Sequence, residues 1–429
     1  MSEQLGKLLT SLGERSDYDA VSQCSRCGYC EQACPTYVAS GREAYSARGR
    51  NQLVRLMLEG KVERTACAQE AFSTCLLCGA CTEVCPAHVP TADIVLEGRR
   101  ELAGSAPGWL WKGLSALLLG PRVRLERVLG LAYFFKRLGF SRLAGRLGLL
   151  RLLGLRALEE ADRHVEEVPD SLLGPLLRAD PELAPRADAR HHYFASCGPD
   201  FLFPRVGLAT TRILKTLGPA DYRGNPCCGL LAYNYGDLAT ARELARRNIV
   251  LFEQADDGAP VVADCSSCAA FLKSYPQLFL DDAEWRPRAE RFAGSVLDAV
   301  ELEPSLPPRT LKGTLAFHDS CRASHGQGLR AQPRRVLAPA AEAVREMPDS
   351  DVCCGGAGLF AFKHPELSEK LLLRKVSAAA HVQARVVSAS GTSCLLQLAR
   401  GLRKYYPEAR VAHWSELVCE ALDMDKAHG

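Results

Sequence analysis

No stretch of the 429 residues approaches the roughly 18–20 uncharged apolar residues that a membrane span needs. The opening "MSEQLGKLLTSLGERSDYDA" has no apolar run of the kind a secretory leader carries, so an unexported chain is expected, with its thiols kept reduced. Net charge is only +3, which gives no sign of nucleic-acid binding. A nucleotide-binding fingerprint is also missing: "CCGGAG" is rich in glycine but lacks the strand–GxGxxG–helix context. What the chain does have is 19 cysteines, far more than an ordinary reduced protein. Reduced cysteines at short regular spacings usually bind metal.

The cysteines fall into regions. Residues 1–100 hold nine, 101–187 none, 188–305 five and 306–429 five. These read as four domains: a 1–100 cluster domain, a 101–187 helical connector, and two cysteine-rich units at 188–305 and 306–429. Between Ser105 and Arg156 ten Lys/Arg face one acid, Glu126, a local charge of +9. Leucines and aromatics interleave with them, and Pro121 and several glycines divide the stretch into short helices. Helices packed on other domains with solvated arginines would give this pattern. So would a basic amphipathic surface for anionic lipid or a partner subunit, since the charge bias exceeds what a solvated face needs.

The last two regions are copies of each other. "HYFASC" (192–197) matches "AFHDSC" (316–321), and "NPCCGLLAYNYGDLATARELARRNI" matches "DVCCGGAGLFAFKHPELSEKLLLRKV". "VVADCSSCAAFL" matches "VVSASGTSCLLQL", with 39 residues between Cys228 and Cys268 and 39 between Cys354 and Cys394. "FAGSVLDAVELEP" is then matched to "HWSELVCEALDMD". Strand and helix alternate in each copy, which predicts βα units on parallel sheets with a site at the strand C-terminal ends. Repeat one offers Cys197, Cys227, Cys228, Cys265 and Cys268. Repeat two offers Cys321, Cys353, Cys354 and Cys394, because Gly391 stands where Cys265 has its counterpart. Five thiols exceed what a simple cubane needs, so repeat one is expected to hold an unusual iron–sulfur site. Repeat two is expected to hold a simpler metal site or none. His318, at a strand end, could hydrogen-bond a cluster or complete a site, and His325 is expected in the following loop; such histidines are more often packed or capping, and His413 reads as structural.

Residues 24–35 read "CSRCGYCEQACP" and residues 75–86 read "CLLCGACTEVCP". Each is Cys-x2-Cys-x2-Cys-x3-Cys-Pro, the bacterial ferredoxin pattern, in which the fourth Cys ligates the other cluster. Cys24, Cys27, Cys30 and Cys85 are therefore assigned to one [4Fe–4S] cluster, and Cys75, Cys78, Cys81 and Cys34 to the other. Structural zinc prefers paired Cys-x2-Cys or mixed Cys/His sets. The segment between the runs reads as amphipathic helix, in which Arg48 and Arg50 could contact the clusters' negative charge or cap a helix, a purely structural role being favoured. Cys67, outside both runs, is expected to be a buried small hydrophobe.

Two ferredoxin runs followed by two "CCG" domains resemble the iron–sulfur subunit of bacterial glycolate oxidase. Related proteins are the anaerobic glycerol-3-phosphate dehydrogenase C subunit and heterodisulfide reductase subunits. "CSRCGYCEQACPTY", "ARGRNQLVRLMLEG", "CCGGAG" and "VAHWSELV" carry the likeness. It implies a helical ferredoxin-like domain with two [4Fe–4S] clusters and two tandem α/β CCG domains, an α+β and α/β chain. It also implies an oxidoreductase subunit, glycolate-dehydrogenase-like, that takes electrons from an FAD-containing partner oxidising glycolate or D-lactate. Delivery would be to a membrane quinone or a soluble acceptor, with the chain cytoplasmic or at the inner face of the cell membrane, touching it through residues 105–156. The full Cys-x-x-Cys of repeat one departs from the glycolate oxidase pattern towards heterodisulfide reductase subunits, whose five-cysteine sites hold noncubane clusters. That likeness implies the alternative, reduction of a disulfide or quinone at repeat one.

Overall fold

The computed structural model describes the chain except residues 1–6, 11–12, 64, 103–107, 141–158, 160–161, 166–167, 256–257 and 427–429. The basic stretch 141–156 therefore lies outside the described residues. A short antiparallel pair, β1 (Lys7–Thr10) and β2 (Gly13–Ser16), precedes a helical region. Ser46 and Thr65 cap the helices Ala47–Leu58 and Ala66–Ser73, accepting from Gly49 and Ala68 main-chain N–H groups that the first turn leaves unpaired. Helix Thr91–Leu102 buries Ile94, Val95 and Leu96 against Val54 and Phe72. Residues 47–73, between the cysteine runs, thus hold two capped helices.

Each repeat folds on a four-stranded, wholly parallel sheet. Repeat one has the order β4 (Ala220–Tyr222), β3 (His191–Phe194), β5 (Val261–Ala263), β6 (Val296–Asp298). Repeat two has β8 (Ala341–Val344), β7 (Leu311–Phe317), β9 (Val386–Ala389), β10 (Arg410–His413). In both, the first and third strands are neighbours and the chain leaves them in opposite directions. The carboxyl ends beside such a switch point are where open α/β sheets build their sites.

The order also corrects the last sequence match. Asp298 pairs with Ala263 and His413 with Ala389, so β6 and β10 are the counterparts. "FAGSVLDAVELEP" and "HWSELVCEALDMD" are out of register: Asp298 is followed by a 3-10 turn, Ala299–Glu301, and His413 by the helix Trp414–Lys426. Similar composition near the chain end hid the offset.

The repeats share one core. Tyr193 and Val262 of repeat one lie in the same apolar cluster as Leu315, Phe317 and Trp414 of repeat two. Helix Pro204–Leu217 meets helix Trp414–Lys426, with Thr210 Oγ1 donating to Ser415 Oγ at 2.8 Å and Cys419 Sγ to the Ala209 carbonyl at 3.4 Å. Ser266 N–H donates to the Ser390 carbonyl at 3.0 Å, joining the two site edges. Two helices of the connector are described, Trp109–Leu119 and Arg122–Arg137, parted at Gly120 and Pro121. Gly130 lies within the second and does not break it.

Candidate metal centres

The two ferredoxin-type runs adopt the same backbone. Arg26 and Leu77, each just before the second cysteine, have φ of 61° and 53°; Gly28 and Gly79, just after it, have φ of 90° and 85°. Left-handed residues on both sides of one cysteine curl the loop so that its N–H groups face inwards. The Leu77 N–H donates to Cys75 Sγ at 3.4 Å. Cys34 is extended (φ −84°, ψ 109°), and Pro35 begins the next helix, Pro35–Ser40.

Two cavities result. One is lined by Cys34, Cys75, Cys78 and Cys81 and is closed by Arg50 and Thr36. The other is lined by Cys24, Cys27, Cys30 and Cys85, with Arg48 and Asn51 in its wall. Cys81 touches both cavities, so they are neighbours. A donor set of four soft sulfurs, inward N–H groups and a cationic wall suits an anionic iron–sulfur cluster. Burial raises the free thiols, Cys30 to about 11 and Cys81 to about 12, and Cys78 well above its usual range. Metal binding must therefore displace protons. Arg50 is nearly fully buried. Its guanidinium donates to the Ala71 carbonyl (2.8 Å), Thr36 and Thr74 hydroxyls (3.1 and 3.0 Å) and Cys34 Sγ (3.8 Å). Arg50 is thus both a strut and a donor to a cavity sulfur. Cys67 is exposed, against expectation, because it falls on the outer face of its helix.

In repeat one the five thiols converge after β3, β5 and the Cys-Cys turn. Cys197 Sγ is 3.2 Å from Cys227 Sγ, and Cys228 Sγ is 3.5 Å from Cys268 Sγ. Cys265 couples to Cys268 and lies 3.2 Å from the hydroxyl of Thr392, a residue of repeat two. Hydrogen bonding to Cys227 holds the proton on Cys197, and the bonds it receives from Cys197 and Cys228 push the Cys227 thiol down. Arg122, from the connector, pairs with buried Asp200 and lies within electrostatic reach of Cys197 and Cys227. Neither Arg122 nor Thr392 was legible as a site residue. Arg122 is separated from the cysteines by some 75 residues, and Thr392 belongs to the other copy.

In repeat two, Cys321 couples to Cys353, Cys353 to Cys354, and Cys354 to Cys394. A Cβ on Gly391 would lie 3.3 Å from Cys394 Sγ, so a side chain at this position would stand beside that sulfur. His318 is 3% exposed, and one ring nitrogen, Cys354 Sγ and Cys394 Sγ all lie within 4.8 Å of one another. Burial holds this imidazole neutral, its pKa well below the usual value. Lys375 is buried here too, donating to the main-chain carbonyls of Asp349 and Ser350. His325 lies within the helix Cys321–Gln327 rather than a loop, and its Nδ1 meets Glu83 of the N-terminal region. His413 is buried between the Ser390 carbonyl and the Ser415 N–H, a structural place. Cys78 acts electrostatically on Cys321 and Cys353, so one ferredoxin-type cavity borders repeat two.

The 4Fe-4S dicluster domain family matches residues 20–89, and the cysteine-rich domain family matches 191–273 and 315–399. The chain is 30% identical over 441 aligned positions to the probable glycolate oxidase iron-sulfur subunit of Bacillus subtilis strain 168, covering 98% of each. This chain belongs to the glycolate oxidase iron–sulfur subunit family. The glycolate oxidase iron-sulfur subunit of Escherichia coli K12 is 29% identical over 99% of this chain and 100% of that one. Lactate utilization protein A of an Exiguobacterium species is 31% identical over 53% of this chain and 96% of its own length. Among the described residues of this family member, no helix is long and apolar enough to cross a membrane.

Proposed function

We propose that the chain is the electron-transfer subunit of a 2-hydroxy-acid dehydrogenase, working beside an FAD-containing partner that oxidises glycolate or D-lactate. The observation that carries this is the pair of adjoining four-cysteine cavities, one of which borders the repeat-two thiols. Cys24, Cys27, Cys30 and Cys85 would hold one [4Fe–4S] cluster and Cys34, Cys75, Cys78 and Cys81 the other; bound there, the clusters supply one-electron carriage. Arg50 donates to Cys34 Sγ and the Leu77 N–H to Cys75 Sγ, contacts of the kind that set a cluster's potential. Cys197, Cys227, Cys228, Cys265 and Cys268 would hold a further, noncubane cluster. Cys321, Cys353, Cys354 and Cys394 would hold a metal in repeat two.

Helix Arg122–Arg137 and the residues after it leave Leu131, Phe134, Leu138 and Phe140 more than half exposed, beside Lys136 and Arg137. That face would rest on the inner surface of the cell membrane, near a quinone acceptor. Cys78→Ser tests the relay: the variant should lose one cluster's iron and abolish turnover with the physiological acceptor. Activity of the flavin partner with an artificial acceptor should survive. Unchanged physiological turnover would refute the relay.

The five converging thiols of repeat one favour a second reading, in which a disulfide or quinone is reduced there. A disulfide substrate that shifts the EPR signal of the purified chain would support it.

A further inference from the structure

The repeats differ in more than a missing sulfur. Aligning Cys197 with Cys321 sets His318 opposite Phe194, and aligning Ile249 with Val376 sets Lys375 opposite Asn248. In repeat one those positions are a buried ring and an amide that donates to the Cys227 carbonyl and Tyr275 hydroxyl. In repeat two they introduce an imidazole and an ammonium into a site that has lost a thiol.

Among the described residues, the imidazole's one near polar neighbour outside the cysteines and Lys375 is the Ser350 main chain. The ring is 3% exposed, yet neither Nδ1 nor Nε2 has a hydrogen-bond partner. The Ser350 main chain lies near the ring but does not reach hydrogen-bonding geometry with either nitrogen. A buried polar group left unsatisfied costs about 1–3 kcal/mol. Yet one of its nitrogens sits with Cys354 Sγ and Cys394 Sγ inside a mutual spacing of 4.8 Å. A tetrahedral ion with bonds of about 2.0–2.3 Å holds its ligand atoms about 3.3–3.8 Å apart. In a cubane the cysteine sulfurs sit on different irons and stand farther apart. No other trio among the described residues meets that spacing, the two ferredoxin-type quartets and the repeat-one thiols included.

We propose that repeat two binds a single zinc-class divalent ion, with His318 as a ligand beside Cys354 and Cys394 and one further thiolate from the Cys321–Cys353 pair. This rests on the reading of repeat two as a metal pocket and deepens it by naming the ion class and the nitrogen ligand. A divalent ion held by one neutral imidazole and three thiolates carries one net negative charge. Lys375 supplies one positive charge within electrostatic reach of Cys353 and Cys354, while its own hydrogen bonds go only to carbonyls. Asp349 and Asp351 also lie within electrostatic reach of Lys375, and the metal–thiolate centre adds a further anionic neighbour for this buried ammonium. A mixed His/Cys set at short range suits zinc and not a larger cluster.

The test is zinc, iron and acid-labile sulfide content of the purified full chain, for wild type, His318→Ala, His318→Phe, His318→Cys and Cys394→Ser. Wild type should carry one zinc-class ion per chain besides its iron. His318→Ala, His318→Phe and Cys394→Ser should lose that ion and keep the iron and sulfide. His318→Cys should keep it and, after loading with Co2+, show stronger sulfur-to-metal charge transfer than wild type. His318→Cys also serves as the folding control if the truncations misfold. Full zinc in both His318→Ala and His318→Phe would overturn the imidazole ligand while leaving a metal pocket. A wild type with no ion beyond its iron, or with iron and sulfide bound at repeat two, would overturn the pocket reading itself.

Discussion

Repeat one and repeat two share a sheet order, the spacing from the Cys-Cys pair to the last cysteine and a core, but not the residues around their cysteines. Phe194, Asn248, Cys265 and Asp298 in the first stand where His318, Lys375, Gly391 and His413 stand in the second. Most of these positions lie at or just beyond the carboxyl ends of the strands, and Asn248 and Lys375 lie within a helix, while the strands carry much of the shared core. A duplicated fold can thus change the residues around its cysteines without changing its architecture.

The most severe way to break the comparison is to remove one sulfur from each copy. Cys268→Ser should strip iron and labile sulfide from repeat one and reduce physiological electron transfer to background. Its counterpart Cys394→Ser should leave total iron unchanged. Equal iron loss in both variants, read by elemental analysis, would erase the distinction. The reverse exchange sharpens it. Gly391→Cys combined with His318→Phe rebuilds the five-thiol set in repeat two; a Cβ there would stand 3.1 Å from Ser320 Oγ and 3.3 Å from Cys394 Sγ, so these neighbours must give by a few tenths of an ångström. That variant should gain iron and sulfide and lose zinc. No gain would mean that something other than the ligand set separates the repeats.

Much of this divergence could be read in the chain itself. The two ferredoxin runs are short-range patterns whose spacing alone predicts crossed quartets, and each quartet lines one cavity. The repeat was visible because 39 residues separate Cys228 from Cys268 and 39 separate Cys354 from Cys394. What stayed hidden depends on long-range packing. Arg122 reaches Asp200 from the connector, and Thr392 reaches Cys265 from the other repeat. His318 was visible as a residue, but its lack of any partner is a property of the packed core. Cys67 was misjudged because a lone cysteine on a short helix gives no sign of which face it occupies.

The connector extends the asymmetry. Its described helices pack on repeat one, through Arg122 to Asp200 and through the Tyr133 hydroxyl, which donates to the Phe201 carbonyl at 3.0 Å. Deleting them would therefore damage repeat one, and point charges are the cleaner probe. Leu131→Glu with Phe134→Glu should weaken sedimentation with anionic vesicles by about tenfold or more, since each apolar side chain contributes about 1.5–3 kcal/mol when buried. Binding to neutral vesicles should be weak for both proteins. Undiminished anionic binding would assign this face to a protein partner.

The smallest expected effect separates Asp298 from His413, counterparts at the ends of β6 and β10. Burial pushes Asp298 up to about 6 and His413 down to about 4. Unfolded, they titrate near about 3.9 and about 6.5. Native Asp298 keeps a proton that the unfolded chain releases, so its stabilisation is present in acid and fades as pH rises from about 4 to about 6. Native His413 refuses a proton that the unfolded chain accepts, so its stabilisation is present above about 6.5 and is lost as pH falls towards about 4. The two slopes oppose each other across the same window. His413→Gln should make the acid-side fall in Tm shallower, and Asp298→Asn should make it steeper. Each change should be a few degrees, since 1 kcal/mol moves Tm by about 2–4 °C in domains of 150–250 residues. Shifts of the same sign in both variants, measured by scanning calorimetry from pH 4 to pH 7, would show that these two groups do not set the acid limb.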